Sequence, residues 1–215
     1  MLSVVYGRAG RMAMQQGPEL GNGKLDRYRS MRDFSTSPEP AGDVATGLVP
    51  RRRFVVQRHR ATRLHYDLRL EIDGVLVSWA VPKGASLDPA KRSLAVKVED
   101  HPYAYGWFEG DIPSGYGKGD VIVWDDGWWE PDPAYPASAD PQVAVANGEL
   151  KFILHGKKLG GRFVLVKTGK DEKTADQWLL LHKRDEFAVA GWDAEQFPRS
   201  VKTGRTNDEL LRPVP

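Results

Sequence analysis

Hydrophobic and polar residues alternate with a period of two through much of the middle of the chain. Leu64, Tyr66, Leu68, Leu70 and Ile72 interleave with His65, Asp67, Arg69 and Glu71, the pattern of a strand with one apolar and one polar face. The preceding RFVVQRH also reads as a strand, and Asp73-Gly74 marks a hairpin turn into VLVSWAVP. SLAVKVE (Ser93 to Glu99) is a further alternating strand, broken at DHP. GDVIVWDDGWWEP predicts a strand, a turn and a short aromatic strand. Prolines 131, 133, 136 and 141 define a loop, with a helical turn expected around PQVAVANG. GELKFILHGKKLGGRFVLVKTG is a second hairpin with Gly160-Gly161 near its turn, QWLLLHKR a last strand, and DELLRPVP a frayed end. Many short antiparallel strands with little helix predict a mainly β fold, a compact closed antiparallel β-barrel with short flanking helices.

Ahead of the strands the pattern is lost. Residues 1–30 show no periodicity and are expected to form a flexible extension, and Met31 to Asp43 is turn-rich, a linker or an arm laid over the domain. The division expected is therefore an extension (1–30), a barrel domain (31–190) with an N-terminal arm (31–50), and a tail (191–215). At 215 residues, 40% hydrophobic and 28% charged, the chain has the make-up of one globular domain. No cysteine is present, which excludes disulfides, thiolate zinc sites and a cysteine nucleophile, and leaves His, Asp, Glu and water as metal ligands. No run of about 18 apolar residues exists to cross a membrane, so a cytoplasmic protein without a membrane partner is expected. The net charge of +2 says little, but Arg51 to Arg69 holds seven arginines against one acid, Asp67. Such a block suits phosphate, although a solvated basic edge strand reads the same way.

His59, His65 and Asp67 offer two imidazoles and a carboxylate, a donor set for Mn, Fe or Zn with open positions. A turn at Arg60-Ala61-Thr62 would bring His59 beside the other two. Arg69, next on the same face, is the cation with which a protein holds a phosphoryl group beside a metal. His101 in EDHPYAYGWFEG is a turn histidine or a donor to a phosphate or leaving oxygen, and Tyr105 is in reach of the same place. Lys83 is a solvated lysine or one more cation at a barrel mouth. Trp124, Trp128 and Trp129 stack bases or, as aromatics in strands more often do, pack the core. His155 and His182 have no polar companions at short spacing and are assigned no role.

FVVQRHRATRLHYDLRLEIDGVLVSWAVPKGASLDP and VEDHPYAYGWFEGDIPSGYGKGDVIVWDDG, with GELKFILHGKKLGGRFVLVKT and WLLLHKRDE, resemble the 3′-phosphoesterase module of bacterial DNA ligase D. The likeness covers about residues 31–187, with no ligase or polymerase region, so the chain reads as a free-standing version of that module. The resemblance implies a bacterial or archaeal β-barrel enzyme, Mn²⁺-dependent with Zn²⁺ or Co²⁺ as alternative occupants. Such an enzyme removes a terminal 3′ ribonucleoside and then the 3′-phosphate from primer–template DNA ends during end joining. A separate ligase or polymerase and an end-binding protein are the implied partners. The metal ligands fall on His59, His65 and Asp67, and the phosphate contacts on Arg69, His101 and Tyr105. The arm RDF…PEP supplies Arg32, Asp33 and Glu39, which the likeness associates with the terminal ribonucleoside. Gln57, Ser78, Lys83 and Glu99 match active-site or supporting positions. One departure is KRSLAV for the family's KRLAV, which puts Ser93 where an arginine is common and displaces Arg92 by one. The alternation is expected to place His65, Asp67 and Arg69 on a polar inner barrel face. Competing readings are a non-haem Fe(II) oxygenase, whose second histidine would stand far downstream, and a non-catalytic nucleic-acid-binding barrel tracking the backbone with Arg51–Arg63.

Overall fold

The computed structural model describes residues 23–45 and 51–210; the expectations for residues 1–22, for the last part of the arm (46–50) and for the last residues of the tail (211–215) lie outside them. Ten strands follow in order: β1 (Arg52–Arg60), β2 (Leu64–Ile72), β3 (Val75–Val81), β4 (Arg92–Lys97), β5 (His101–Pro102), β6 (Gly110–Ile112), β7 (Gly119–Pro131), β8 (Glu149–Gly156), β9 (Gly160–Lys167) and β10 (Gln177–His182). The sheet order β1-β2-β3-β4-β10-β9-β8-β7 returns to β1 through antiparallel β1–β7 pairing, closing an eight-stranded barrel. Short β5 and β6 hang on β3 and β7. Closure leaves these eight strands without a free edge.

All eight barrel strands contribute to one apolar cluster that includes Phe54, Val56, Leu68, Leu70, Trp79, Trp124, Phe152, Phe163 and Trp178. That cluster fills the barrel. The alternate residues of β1, β2 and β3 therefore face outward, and there a second, smaller cluster holds Val55, Leu76, Tyr105 and Tyr28. The polar face of β2 is thus the outer wall, not the inner one expected. The barrel interior is filled by the apolar cluster, whereas the outer wall is roofed by polar segments that can pair charged side chains.

Asp73 (φ 51°) and Gly74 (φ 81°) make the expected tight turn between β2 and β3, both in the left-handed conformation that such a hairpin requires. A Cβ on Gly74 would lie 2.3 Å from the Ala45 carbonyl oxygen. The Ala45 N–H also donates to the Gly74 carbonyl at 2.9 Å, which fastens the end of the arm to this hairpin.

Three other expectations change. The predicted break in GDVIVWDDGWWEP does not occur: β7 runs through as one strand, with a bulge opposite Val56/Gln57. The extra residue lets Trp124 and Asp125 both turn inward. Asp125 then accepts backbone N–H bonds from Lys157, Lys158 and Leu159 in the β8–β9 turn. Upstream, ordered chain begins before residue 31. A turn at Gly23–Leu25 and helix α1 (Asp26–Ser30) bury Leu25 and Tyr28. Residues 191–210, expected as part of a tail, instead clasp the barrel. Trp192 packs on Trp124 and Phe197, Glu195 accepts from Arg58 and Tyr66, and Asn207, in helix α3 (Asn207–Leu210), bonds Arg58 and Asp120. The helical turn expected near residue 141 is α2 (Pro141–Ala146), capped by Asp140. No helix among the described residues is long and apolar enough to cross a membrane.

Candidate metal centre

Strand register assembles the site. Across β1 and β2 the pairs are His59 with His65, Gln57 with Asp67 and Val55 with Arg69; across β2 and β3, Arg69 pairs with Ser78; across β3 and β5, Leu76 pairs with His101. Period-two alternation then puts Gln57, His59, His65, Asp67, Arg69 and Ser78 on one outward face. The β1–β2 turn is the feature that returns His59 to His65, with ring centroids 4.7 Å apart.

One ligand atom from each of His59, His65 and Asp67 lies within 4.8 Å of the other two. His65 Nδ1 sits 3.0 Å from the Arg63 carbonyl oxygen. A carbonyl only accepts, so Nδ1 carries the proton and the lone pair of Nε2 faces Asp67 Oδ1, 3.6 Å away. On the other side His59 Nδ1 lies 3.7 Å from Asp67 Oδ2, and its buried Nε2 has no hydrogen-bond partner. Two imidazoles and a carboxylate at this separation, one of them with an unsatisfied buried nitrogen, fit a divalent cation. Burial alone would raise the Asp67 pKa, but the Arg69 guanidinium and the two imidazoles outweigh it and hold the carboxyl well below the usual carboxylate range.

Arg69 is fixed on three sides. Nε donates to Gln57 Oε1 at 2.7 Å, Nη2 donates to Asp67 Oδ2 at 2.9 Å, and Nη1 lies 2.9 Å from His101 Nδ1. Gln57 in turn donates to the carbonyls of Tyr105 and Phe108, which orients its oxygen toward Arg69. Nε and Nη2 each spend one N–H on these partners, and Nη1 spends one when His101 Nδ1 is unprotonated, so at least one N–H on each terminal nitrogen is left for an anion. His101 Nδ1 is also 2.9 Å from the Glu99 carbonyl oxygen. A neutral ring has one donor and one acceptor, so either the carbonyl or Arg69 is satisfied at Nδ1 in a given tautomer. Burial, then Arg69 and Arg32, push the His101 pKa well below its ordinary value and keep the ring neutral. Ser78 Oγ, donating to Leu76 O, lies 3.4 Å from the same nitrogen. Tyr105 packs edge-on to His101 and 4.9 Å from the Arg69 guanidinium; its hydroxyl is pushed well above the usual range by burial.

The arm covers this wall. Arg32 donates to Glu39 at 2.9 Å and to Glu99 at 3.1 Å, with side-chain exposures of 3, 1 and 2% respectively, and its Nη2 lies 3.3 Å from His101 Nε2. Tyr28 stacks under Arg32 and against His101, and donates its hydroxyl to Pro40 O. Sequence reasoning passed over Tyr28, because it precedes the periodic segments. A pocket of about 210 Å³ remains, lined by Arg32, His59, His65, Asp67, Arg69, Glu99 and His101 together with Tyr116. Two buried guanidinium groups stand here against three carboxylates, so a divalent ion would turn the net charge of the cluster from negative to positive.

Two predicted site residues fall elsewhere. Asp33 is exposed and accepts from the N–H and hydroxyl of Ser35, a turn cap that lowers its pKa. Lys83 follows β3 at a barrel end and lines a separate cleft of about 770 Å³ with Lys91, Arg92 and Ser93. Ser93 there donates to the Gly84 carbonyl, while Arg92 is exposed. Four of the seven arginines of the basic run are paired within the protein, Arg53 with Asp126, Arg58 with Glu195, Arg60 with Asp120 and Arg69 with Asp67, while Arg51, Arg52 and Arg63 are exposed. Trp124 and Trp129 are core, whereas Trp128 stacks on His155 at the surface. His182 is buried, with Nε2 3.1 Å from the Gly160 carbonyl oxygen.

The molecule is thus an eight-stranded barrel with a two-histidine, one-carboxylate cluster and buried guanidinium groups on its outer wall. Residues 57–167 match the family described as the DNA ligase D 3′-phosphoesterase domain. The chain belongs to that family. It is 51% identical over 190 residues to the multifunctional non-homologous end joining protein LigD of Pseudomonas aeruginosa, covering 85% of this chain and 21% of that protein. The corresponding Mycolicibacterium smegmatis protein is 44% identical over 165 residues, covering 76% and 21%. The Mycobacterium tuberculosis DNA repair protein LigD is 45% identical over 167 residues, covering 76% and 20%. The chain spans about a fifth of the length of these relatives.

Proposed function

We propose that this chain is a Mn²⁺-dependent 3′-phosphoesterase that heals DNA 3′ ends in end-joining repair, removing a terminal ribonucleoside and then the 3′-phosphate to leave a 3′-OH. One observation carries the reading: the metal-type donor set and two buried guanidinium groups open into the same small pocket. His59, His65 and Asp67 would hold a divalent ion, which would supply charge neutralisation for a phosphoryl group and acidify water. Arg69, already oriented by Gln57, turns its two remaining N–H bonds to the phosphate and matches the charge that develops there. His101 enters neutral and donates a hydrogen bond, and an incoming phosphate is what raises its affinity for a proton it can pass to the leaving oxygen. Tyr28 of the arm packs against His101 and excludes water from that side.

Two buried guanidinium groups beside the donor set support phosphate chemistry over an Fe(II) oxygenase, and the pairing of four of the seven arginines of the basic run within the protein weighs against a purely backbone-tracking barrel. The test uses a primer–template ending in 3′-phosphate, incubated with the protein and either Mn²⁺ or a chelator. Conversion to 3′-OH with Mn²⁺ and none with chelator is expected. Full conversion in chelator removes the metal from the reading; no conversion in Mn²⁺ removes the activity.

A further inference from the structure

Between β6 and β7 the chain reads Pro113-Ser114-Gly115-Tyr116-Gly117-Lys118-Gly119. Gly115 and Gly117 have φ of 80° and 78°, and Gly119 has φ of 141°, conformations that glycine adopts without penalty. At Gly119 a Cβ would stand 2.4 Å from the Arg60 carbonyl oxygen, so the loop is seated directly on the end of β1. Around Gly115 nothing lies within 4 Å of the same construction. The backbone is therefore shaped on both sides of Tyr116, and the loop is held at its base where Ile112 pairs with Gly119.

Tyr116 lines the metal and phosphate pocket. Its hydroxyl donates to Glu99 Oε2 at 3.3 Å, and the Arg32 guanidinium lies 5.4 Å from its ring centroid. These contacts fix the hydroxyl end and leave the residue 45% exposed. Among the described residues it is the one large exposed apolar or aromatic side chain that lines this pocket. Glu99 stands between it and His101, whose Nε2 is 3.8 Å from Glu99 Oε1. A phosphate at Arg69 and His101 would consequently have its sugar beside Glu99 and the attached base at the Tyr116 ring.

We infer that Tyr116 is the stacking platform for the base of the 3′-terminal ribonucleoside, a specificity residue that recognises an aromatic base without regard to its sequence. The inference rests on the phosphoesterase reading above. Stacking needs a π-face, which every base has, so ends carrying any of the four bases should be bound within about threefold of one another.

The experiment crosses two changes: Tyr116→Ala in the protein and removal of the base from the terminal ribose of the substrate. Steady-state turnover is measured with Mn²⁺ on base-bearing and abasic ribonucleoside ends, with a 3′-phosphate end as the activity control. Tyr116→Ala should raise KM about tenfold or more on the base-bearing end, with kcat within about twofold. Wild type on the abasic end should show the same rise, and Tyr116→Ala no further one. Tyr116→Phe and Tyr116→Trp should restore wild-type KM, whereas Tyr116→Leu, which keeps bulk without a π-face, should not. Independent, multiplying losses would overturn the assignment, as would an unchanged KM in Tyr116→Ala or full rescue by Leu. A wild type active on 3′-phosphate ends confines any such failure to Tyr116. A wild type inactive on every end removes the phosphoesterase reading and the stacking role with it.

Discussion

Asp67 and Arg69 are neighbours on one face with different tasks. Asp67 Oδ1 faces His65, while Oδ2 is shared between His59 and Arg69. Removing the carboxylate deletes a metal ligand and also leaves Arg69 buried without its counter-charge. Asp67→Ala is therefore expected to abolish Mn²⁺ binding and turnover together. Arg69→Ala leaves the two imidazoles and the carboxylate in place, so it should keep Mn²⁺ within about tenfold of wild-type affinity yet lose about 10²-fold or more in kcat. Calorimetric titration of Mn²⁺ beside a turnover assay checks the split; equal loss of metal in both variants would show the two residues to act as one. These residues were legible in the sequence because two-residue spacing and a short turn suffice to bring them together. Asp33 was not: a carboxylate followed two residues later by serine satisfies itself locally, and motif matching does not see that.

Secondary-structure elements were easier to read than their faces. Alternation fixes that His65, Asp67 and Arg69 lie opposite Tyr66, Leu68 and Leu70, but not which set is enclosed. In β2 both sets are almost wholly buried, one in the barrel and one under the arm, so exposure gave no cue. The bulge in β7 likewise leaves no mark in the sequence, since Asp-Asp-Gly ordinarily reads as a turn. The arm itself is held less by backbone propensity than by Arg32, whose two carboxylate partners are buried with it. Arg32→Ala would leave Glu39 and Glu99 without their cation, and a loss of about 3–5 kcal/mol in unfolding free energy is expected. Adding Glu39→Gln and Glu99→Gln to that variant should recover part of it. Urea titration measures both, and a loss below about 1 kcal/mol in Arg32→Ala would mean that the arm is not held by this pair.

For the whole molecule the buried polar layer makes stability depend on pH. His101 resists protonation in the folded state, so as pH falls through the ordinary histidine value near 6.5 the unfolded chain takes up a proton that the native protein refuses. Its contribution is present above that pH and is lost below it, by up to about 1.4 kcal/mol per pH unit. Asp125 works the other way. Burial raises its pKa to about 6 against the pull of its backbone donors, so the native state gains relative stability as pH drops from about 6 toward 3.8. Comparing metal-free wild type with His101→Gln isolates the first effect. Between pH 7.5 and 5.5 the wild type should lose about 1 kcal/mol or more beyond what the variant loses. Parallel urea midpoints across that range would contradict it.

The candidate chemistry occupies the outside of a barrel whose interior is already filled. Residues such as Trp79 and Trp178, in edge-to-face contact within, and Arg69 or His101 without, stand on opposite sides of a single sheet of backbone. Changes at well-separated positions that share no partner tend to combine additively. A laboratory selection could accordingly diversify the inner tryptophans and leucines for heat tolerance, diversify the outer loops for substrate preference, and recombine the winners with little mutual interference. In a protein whose pocket is cut into its own core, the same two searches would collide.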